Sequence, residues 1–404
     1  MLDPTGSAPH TEAAALRMRG PAVRVELPGG VIAWSVTRRG VIQDLTTDAR
    51  VSRDFRKHWP GAADTPEGWS LAPLAFEDSF FNLYGAEHRK SRGRISPAFA
   101  PRRVDLMRPR VQAMADRLVA ALGALAPGES VDLRQAFSLP LTMTVICDLV
   151  GVPAHLREGI GRVMDASLDS TLDPESALAV GRELDERLSE FIAYKRTHPA
   201  SDLTTDLLLS NAPGQEPLAD SVLVGTLFAM INAGYETAVN LITSAVQALL
   251  THPGHLARVR EGSIGWDDVI EETLRFEGPV MHVPLRYAIE DIDLGDGVVI
   301  RRGEAVIIGF AAAGRDPEVH PDDPDVFDPT RTDKAHLAFG FGPHFCMGAY
   351  LARLEADVAL TTLFTRLPAL SLTDPGRRPA RLPSMIVNGP ARLDVVPRPE
   401  TATD

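Results

Sequence analysis

The chain has 404 residues, and the 44% that are hydrophobic supply a large core and exclude a disordered chain. Its 54 acidic residues outnumber its 41 basic ones, and the net charge of −13 makes nucleic acid a poor partner because it repels phosphate. The two cysteines, Cys147 and Cys346, are too few for a disulfide framework and indicate a reducing cytoplasm.

The predicted elements begin after a loose leader at residues 1–22, which lacks the continuous apolar stretch of a signal peptide. Alternating apolar residues predict β-hairpins at 23–36 and 297–309, whereas prolines and glycines predict a long irregular loop at 58–75 and an irregular meander at 314–334. Helical periodicity recurs at 103–125, 133–150, 178–195, 220–251, 266–276 and 346–366.

The balance of these elements predicts a mainly α fold with small β-sheets. The longest apolar run, 222–231, is too short for a membrane span, which needs about 20 apolar residues, and it predicts a buried core helix. No Gly/Ser-rich linker divides the chain. We therefore expect a single domain at 23–396 and a short tail at 397–404, in a cytoplasmic protein that does not bind a membrane.

The sharpest feature of the sequence is the loop FGFGPHFCMG at 339–348, which carries Cys346. Two glycines and a proline before the cysteine favour a tight turn, and a helical pattern starts just after it. A thiol beside a helix N-terminus has a lowered pKa, and its thiolate is a soft ligand that suits haem iron. A lone intracellular cysteine is more often a small buried hydrophobe, and that interpretation stands for Cys147 in its apolar run.

The pattern Phe339-x-x-Gly342-x-x-x-Cys346-x-Gly348 resembles the haem-binding signature of the cytochrome P-450 family, and further motifs follow in the family's order over nearly the whole chain. The resemblance implies the P-450 fold, a triangular prism with a long central oxygen-binding helix. It also implies haem b, the iron complex of protoporphyrin IX, with Cys346 as the axial ligand and no other metal. Phe339, Gly340 and Gly348 are then expected to contact the haem.

An acid stands beside an alcohol inside the longest predicted helix, in the run AGYET at 233–237. Burying a carboxylate is costly, Gly234 weakens the helix, and the Thr237 hydroxyl can bond the carbonyl of Ala233, so together these features can open a groove. The spacing alone fits an exposed polar turn equally well. The segment resembles the family's oxygen-binding motif, which implies that Ala233 and Gly234 border the haem. The same resemblance implies that Glu236 and Thr237 organise water and deliver protons during catalysis.

Two residues near this motif depart from the family pattern. Tyr235 stands where many relatives carry His, and Ala238 stands where a second hydroxyl residue is common. These departures leave the proton relay open but keep the acid–alcohol pair, whose presence argues against a peroxide-driven peroxygenase. A non-catalytic haem sensor or ligand-binding protein is a further alternative, which is disfavoured because the sequence shows no output domain.

Four basic residues are candidates for binding the two haem propionates. His88 and Arg92 share a helical face at a spacing of four, and arginine binds carboxylates in a bidentate manner. In isolation these two residues also fit a solvated basic turn. The family resemblance implies that both bind a propionate, together with Arg286 and His344.

Glu272 and Arg275 lie three residues apart on one predicted helix. Alone, such a pair fits a surface ion pair worth about 0–1 kcal/mol. The resemblance implies instead a structural pair that locks onto the meander and steadies the haem pocket, with Arg331 as its partner there.

The resemblance further implies a monooxygenase that activates dioxygen with electrons from a separate ferredoxin and ferredoxin reductase, because the chain shows no flavin- or ferredoxin-like region. We expect a monomer whose basic patch steers an acidic ferredoxin to the cysteine side of the haem. The candidate patch residues are Arg89, Lys90, Arg102, Arg103 and Arg353.

The expected substrate is a bulky hydrophobic molecule such as a steroid, a macrolide or another polyketide, because the candidate pocket residues are mostly apolar. These residues are Phe80, Phe81, Leu83, Ala229, Ala233, Met281, His282, Val283, Ile386 and Val387. His282 is assigned to the pocket wall and not to the iron. The loops at 58–75 and 168–180 are predicted to be mobile gates over the pocket.

Overall fold

The computed structural model describes residues 1–209 and 217–400, and helices dominate it, as the sequence predicts. Residues 401–404 of the predicted tail lie outside the described residues. The α-helices are α1 Pro9–Met18, α2 Arg39–Thr47, α3 Phe55–His58, α4 Ala72–Ala75, α5 Gly85–Ile95, α6 Pro101–Asp105, α7 Arg108–Gly123, α8 Leu139–Val150, α9 Ala154–Ser167, α10 Pro174–Thr197, α11 Leu203–Leu209, α12 Asp220–Thr251, α13 Pro253–Arg260, α14 Trp266–Phe276 and α15 Ala349–Arg366.

Short strands form three small sheets beside the helices. A five-stranded sheet has the order β1-β2-β8-β5-β3, a three-stranded sheet has the order β4-β10-β9, and β6 pairs with β7. The strands are β1 Val23–Glu26, β2 Ile32–Val36, β3 Val51–Ser52, β4 Val131–Asp132, β5 Val283–Ala288, β6 Ile292–Asp293, β7 Val299–Ile300, β8 Ala305–Ile308, β9 Ser371–Leu372 and β10 Asp394–Val396.

Helix α12 is the centre of the helical part, with α8, α10, α14 and α15 packed around it. A helix that is apolar on most of its circumference has to be buried, and 72% of the most apolar window of α12 lies inside the protein, although the helix is long enough to cross a membrane. Two glycines permit close packing. A Cβ on Gly225 would lie 2.6 Å from the Asp78 carbonyl oxygen, and a Cβ on Gly234 would lie 2.4 Å from Cδ1 of Ile146.

The strongest helical patterns match the structure. Helices α12 and α14 have the predicted bounds. The helix predicted at 103–125 is divided at 106–107 into α6 and α7, and Pro109 takes an early position in α7, where proline is tolerated. The helix after the cysteine loop begins at Ala349, three residues later than predicted. Helices α2 and α9 are not among the predicted ones.

Of the two predicted hairpins, the one at 23–36 is confirmed, since β1 and β2 pair antiparallel with Val23 opposite Ser35. The hairpin predicted at 297–309 is wrong. Its strands β7 and β8 exist but join different sheets, because β7 pairs with β6 whereas β8 lies between β2 and β5. The physical reason is burial: all four residues of β8 are buried, and such a strand needs a neighbour on each side.

The leader at residues 1–22 was expected to be loose, and this expectation is wrong. Helix α1 and its flanks pack on the body of the protein, where Leu2 and Leu16 are buried. Arg17 of α1 donates a hydrogen bond to the Ala312 carbonyl oxygen at 2.6 Å. The apolar residues of this segment are too few to give a periodic signal, so only the folded protein shows the surface that receives them.

The segment at 58–75 is more ordered than the predicted irregular loop. It contains α4 and a 3-10 turn at Pro60–Asp64. The neighbouring Trp59 and the internal Trp69 are buried, with ring centroids 6.2 Å apart. Large aromatic rings can anchor a Pro- and Gly-rich segment that has no periodic pattern. Its function as a mobile gate stays a prediction.

The close approach at Gly225 predicts a cost for any side chain at this position. Gly225→Ala is expected to lower the free energy of unfolding by about 1–3 kcal/mol, because the Asp78 backbone has to move. The matched control is Gly181→Ala in α10, where a Cβ meets nothing within 4 Å and the helix gains up to about 1 kcal/mol. Denaturant unfolding checks both variants, and equal effects would contradict the packing argument.

Candidate active site

A large cavity lies between α12, the cysteine loop at 339–348 and β5. It contains about 1710 Å³ of space not filled by protein atoms, part of it open to solvent. Cys346 lines the cavity, as do Ala233 and Thr237 of α12. The cavity therefore joins two segments that the sequence marks as functional.

The cysteine loop is shaped by two glycines in the left-handed region, Gly340 at φ 73° and Gly342 at φ 74°. Gly342 also packs closely, since a Cβ there would lie 2.8 Å from the carbonyl oxygen of Thr46. The Cys346 N–H donates to the Phe339 carbonyl oxygen at 2.8 Å and closes the loop. These contacts fix the position from which the thiol borders the cavity.

The sequence predicts a lowered pKa for Cys346, but the structure indicates a raised one. Burial raises the pKa of the thiol, against smaller opposing effects of the Gly348 N–H and of the Arg92 and Arg353 charges. Helix α15 begins at Ala349, three residues after the cysteine. A thiol of this kind becomes a thiolate when it coordinates a metal ion, which deprotonates it outright.

Positive charge is concentrated along one side of the cavity. Arg92 and Arg286 line it, and His88 stacks on the lining residue His344 with ring centroids 4.0 Å apart. Burial lowers the pKa of Arg286 to about 9 and that of His88 to about 4. Arg53 also lines the cavity, and burial lowers its pKa to about 10. The sequence carries no signal for Arg53, because its partners lie far away in the chain.

Several nitrogen atoms of these basic groups are buried without a hydrogen-bond partner in the described part of the chain. They are Nη1 of Arg53, Nε2 of His88, Nε of Arg286 and Nδ1 of His344. The arginines among them are buried cations, which are costly unless they are paired. A cofactor with two carboxylates satisfies this requirement, and arginine is well suited to bind them. The residues present therefore fit haem: the basic residues would hold its propionates, and Cys346 would bind its iron.

Comparison with known proteins places this site in a family. The model of the cytochrome P450 family matches residues 266–395. The chain is 39% identical over 396 residues to the 2-hydroxy-5-methyl-1-naphthoate 7-hydroxylase of Streptomyces carzinostaticus, which covers 98% of this chain and 96% of that enzyme. The chain belongs to the cytochrome P450 family.

Solved structures confirm the P450 fold predicted from the sequence. CYP154A1 from Streptomyces coelicolor A3(2) superimposes with a TM-score of 0.93 at 48% identity, over 98% of this chain and 99% of that chain. Testosterone-bound CYP154C4 from Streptomyces sp. ATCC 11861 gives a TM-score of 0.94 at 36% identity, over 98% of both chains. The protein is thus a P450 monooxygenase with haem as its cofactor.

The small residues of this P450 that border the cavity from α12 include Ala233, Gly234 and Thr237. The Thr237 hydroxyl donates to the Ala233 carbonyl oxygen at 2.8 Å, which is the bond that the sequence predicts. Helix α12 continues unbroken through this point, so the space beside it comes from small side chains and not from a break in the helix. The missing side chain of Gly234 also permits the close contact with α8.

Glu236 is buried and does not line the cavity. Its two carboxyl oxygens accept hydrogen bonds from Nη2 of Arg134 at 2.9 and 2.8 Å, and Arg134 also donates to Asn240 at 3.0 Å. Burial raises the pKa of Glu236 to about 7, although the charge of Arg134 opposes the shift. Glu236 therefore contacts Arg134, whereas Thr237 borders the cavity. A proposal of proton delivery by Glu236 has to include Arg134.

Tyr235, which departs from the family pattern, is buried and donates a hydrogen bond to Asp165 of α9. Burial raises the pKa of both groups. The tyrosine thus connects the core helix to α9, a neighbour that no local sequence pattern identifies.

Glu272 and Arg275 form a completely buried ion pair at 2.7 Å. Arg275 also donates to the Val326 carbonyl oxygen at 2.8 Å, and the Asp328 N–H donates to Glu272 at 2.8 Å. Nε of Arg331 lies 3.5 Å from Glu272. The contacts tie α14 to the meander that leads into the cysteine loop, which is the arrangement that the resemblance implied.

Removing one charge of the Glu272–Arg275 pair is expected to destabilise the protein strongly. Glu272→Gln is expected to lower the free energy of unfolding by about 3–5 kcal/mol, because Arg275 is left as a buried charge without an anionic partner. The adjacent Glu271 is a matched control, since its pairs with Arg353 and His336 are partly exposed, and Glu271→Gln is expected to cost about 1 kcal/mol or less. Thermal unfolding and haem content measure both effects, and similar losses would contradict the assignment.

Most of the predicted substrate residues line the cavity: Phe80, Phe81, Ala229, Ala233, Val283, Ile386 and Val387. Leu83, Met281 and His282 do not, and their assignment to the pocket wall is corrected. Met281 packs in a buried cluster with Ala13 of α1, and Nδ1 of His282 lies 2.8 Å from the Met385 carbonyl oxygen. Leu83 follows the 3-10 turn that carries the lining phenylalanines.

The predicted basic patch is partly neutralised by acidic neighbours. Arg353 donates to Glu271 at 2.6 and 3.0 Å, and Arg103 lies 3.3 Å from Asp206. The exposed members without an ion pair in the described part of the chain are Arg89, Lys90 and Arg102.

Removing one of the unpaired buried cations is expected to stabilise the haem-free protein and to weaken the binding of haem. Arg286→Met is expected to stabilise the haem-free protein, because a buried cation without a partner is removed. The same change is expected to speed the loss of haem at least about tenfold, because a propionate loses a charged hydrogen bond. Unfolding of the haem-free protein and haem transfer to apomyoglobin measure the two effects. Arg377→Met on an exposed loop is the control, and a destabilised haem-free Arg286→Met protein would contradict the argument.

Proposed function

We propose that this P450 hydroxylates a largely hydrophobic small molecule, with haem held through the thiolate of Cys346 and with electrons from a ferredoxin and its reductase. The observation that carries the proposal is one cavity that joins Cys346, Thr237 and a mostly apolar wall. The catalytic unit is the domain at 23–396, which acts as a cytoplasmic monomer.

Haem with a thiolate ligand supplies the activation of dioxygen, and the chain supplies binding, orientation and protons. Arg92, Arg286 and His344, which line the cavity, would hold the propionates and so orient the cofactor. Thr237 presents its hydroxyl beside the small Ala233 side chain, where it orients a water molecule. The mostly apolar wall excludes further water from the reaction.

We assign the supply of protons to Glu236, acting through Thr237. A general acid works best when its pKa is near the working pH, and the pKa of Glu236 is about 7. Because Arg134 binds both carboxyl oxygens, Glu236 has to leave Arg134 or pass its proton through water to reach the cavity. Arg134 is therefore a positioning residue for the acid.

The apolar wall supports a substrate built from fused or large rings. Phe80, Ala229, Val283 and Ile386 contribute side chains to it. Burial of apolar surface contributes about 25 cal/mol per Å² to the affinity. A rigid ring system gains this contribution and loses little conformational freedom on binding. The related hydroxylase acts on a hydroxymethylnaphthoate, and the related CYP154C4 binds testosterone, which are both largely apolar ring systems.

We assign the electron donor to the surface beside the cysteine loop. Phe345 and Tyr350 are 46% and 41% exposed there, and exposed apolar groups of this kind mark interaction sites. Tyr350 donates to Asp105 of α6 at 2.7 Å, so it lies beside the helix that carries Arg102. Arg102 and Arg89 together attract an acidic ferredoxin.

The test of the proposed function begins with a screen of hydrophobic ring compounds by the spin-state shift of the haem. Compounds that shift the spectrum are then incubated with the protein, a ferredoxin, its reductase and NADPH. Consumption of NADPH matched by hydroxylated product is the expected result. Peroxide-driven turnover far above reductase-driven turnover would support the peroxygenase alternative, and binding of small charged acids alone would refute the substrate class.

Reversing the charge of the electron-donor surface is expected to slow reduction by ferredoxin. Changing Arg89, Lys90 and Arg102 to Glu together is expected to slow reduction by ferredoxin about tenfold at low salt, and the difference should shrink at high salt because charges are screened. Stopped-flow reduction under carbon monoxide measures the rate. The pair Arg377→Glu and Arg378→Glu, on an exposed loop elsewhere, is the control, and equal slowing in both proteins would contradict the docking surface.

A further inference from the structure

Glu77 is an acidic side chain in the otherwise largely apolar cavity wall. It lines the cavity and is 9% exposed. Ser79 hydrogen-bonds its carboxyl group, but Oε2 is buried and has no hydrogen-bond partner among the described residues. Buried polar atoms in native proteins are rarely left without a partner. A partner for this oxygen is therefore expected among the molecules that enter the cavity.

The backbone around Glu77 is held in place before a ligand binds. The Asn82 side chain donates to the Glu77 carbonyl oxygen at 3.3 Å. Ser221 of α12 donates to the Asp78 carboxylate at 3.0 Å, and the close approach at Gly225 presses the Asp78 backbone against the same helix. A polar group that is fixed in advance recognises a ligand with little loss of entropy.

The surroundings of Glu77 favour a neutral ligand group over a cation. Burial raises the pKa of Glu77 to about 8, although the Arg53 charge opposes this shift, so the carboxyl group holds its proton at neutral pH. Arg53 itself donates to the carbonyl oxygens of Phe81 and Pro284 at 2.8 and 3.0 Å. Its positive charge nevertheless repels an ammonium group. A protonated carboxyl group both donates and accepts hydrogen bonds.

We propose that Glu77 determines substrate specificity by hydrogen-bonding a neutral hydroxyl or ketone oxygen of the substrate. The proposal rests on the proposed hydroxylase function and narrows its substrate class to apolar ring systems that carry such an oxygen. A pure hydrocarbon leaves the Glu77 oxygen without a partner, and the loss of that hydrogen bond discriminates against it.

Imidazoles that coordinate haem iron place a probe in the cavity without knowledge of the natural substrate. The experiment compares 1-alkylimidazoles of increasing chain length with their ω-hydroxy and ω-amino counterparts, titrated against the holoenzyme by the shift of the haem spectrum. At the length that reaches Glu77, the hydroxyl group is expected to raise the affinity roughly tenfold over the alkyl partner. Glu77→Leu is expected to abolish this gain, and Glu77→Gln, which keeps a neutral hydrogen-bonding group, is expected to retain most of it.

Asp78→Asn is the matched control, because Asp78 pairs with Arg56 and Ser221 and does not line the cavity. This variant is expected to keep the full hydroxyl gain. The proposal is overturned if wild type and Glu77→Leu show the same ratio of hydroxy to alkyl affinity at every chain length, or if the amino series gains more than the hydroxy series. A purified protein that shows no haem absorption refutes the proposed function instead, so the two failures are told apart.

Discussion

The active site depends on one constraint: its buried arginine side chains need an anionic partner that binds in the cavity. Arg53 and Arg286 have buried nitrogen atoms without partners on the side of the cavity that also holds His344. Such an arrangement is destabilising until an anion pairs with the charge. In the proposed function, the carboxylates of haem meet this need and Cys346 supplies the iron ligand from the same cavity. The space left beside α12 is then the space for oxygen and substrate.

The remaining structure keeps these groups at fixed distances. The buried pair of Glu272 and Arg275 holds the meander from which the cysteine loop emerges. Gly225 and Gly234 let α12 approach the backbone at Asp78 and the helix α8 at distances that no side chain would permit. A P450 of this kind therefore orients its cofactor and its distal residues by close packing, and small errors in such packing are costly for catalysis.

Local patterns in the sequence predicted the parts of the site that depend on one segment. Periodicity was enough for α12, and the spacing of glycines was enough to place Cys346 in a functional loop. Contacts between distant segments were not predictable: Arg134 lies 102 residues before Glu236, and β8 pairs with β2 from near the start of the chain. A spacing of three residues cannot distinguish a buried ion pair from a surface pair, and the single acid Glu77 carried no pattern at all.

The most direct test of the account is the carbon monoxide difference spectrum of the reduced protein, measured for wild type and for Cys346→Ser. The account predicts that wild type shows the long-wavelength Soret band of a thiolate-ligated haem and that Cys346→Ser loses this band. A histidine-type spectrum in wild type, or an unchanged thiolate band in Cys346→Ser, would contradict the central claim that Cys346 binds the iron.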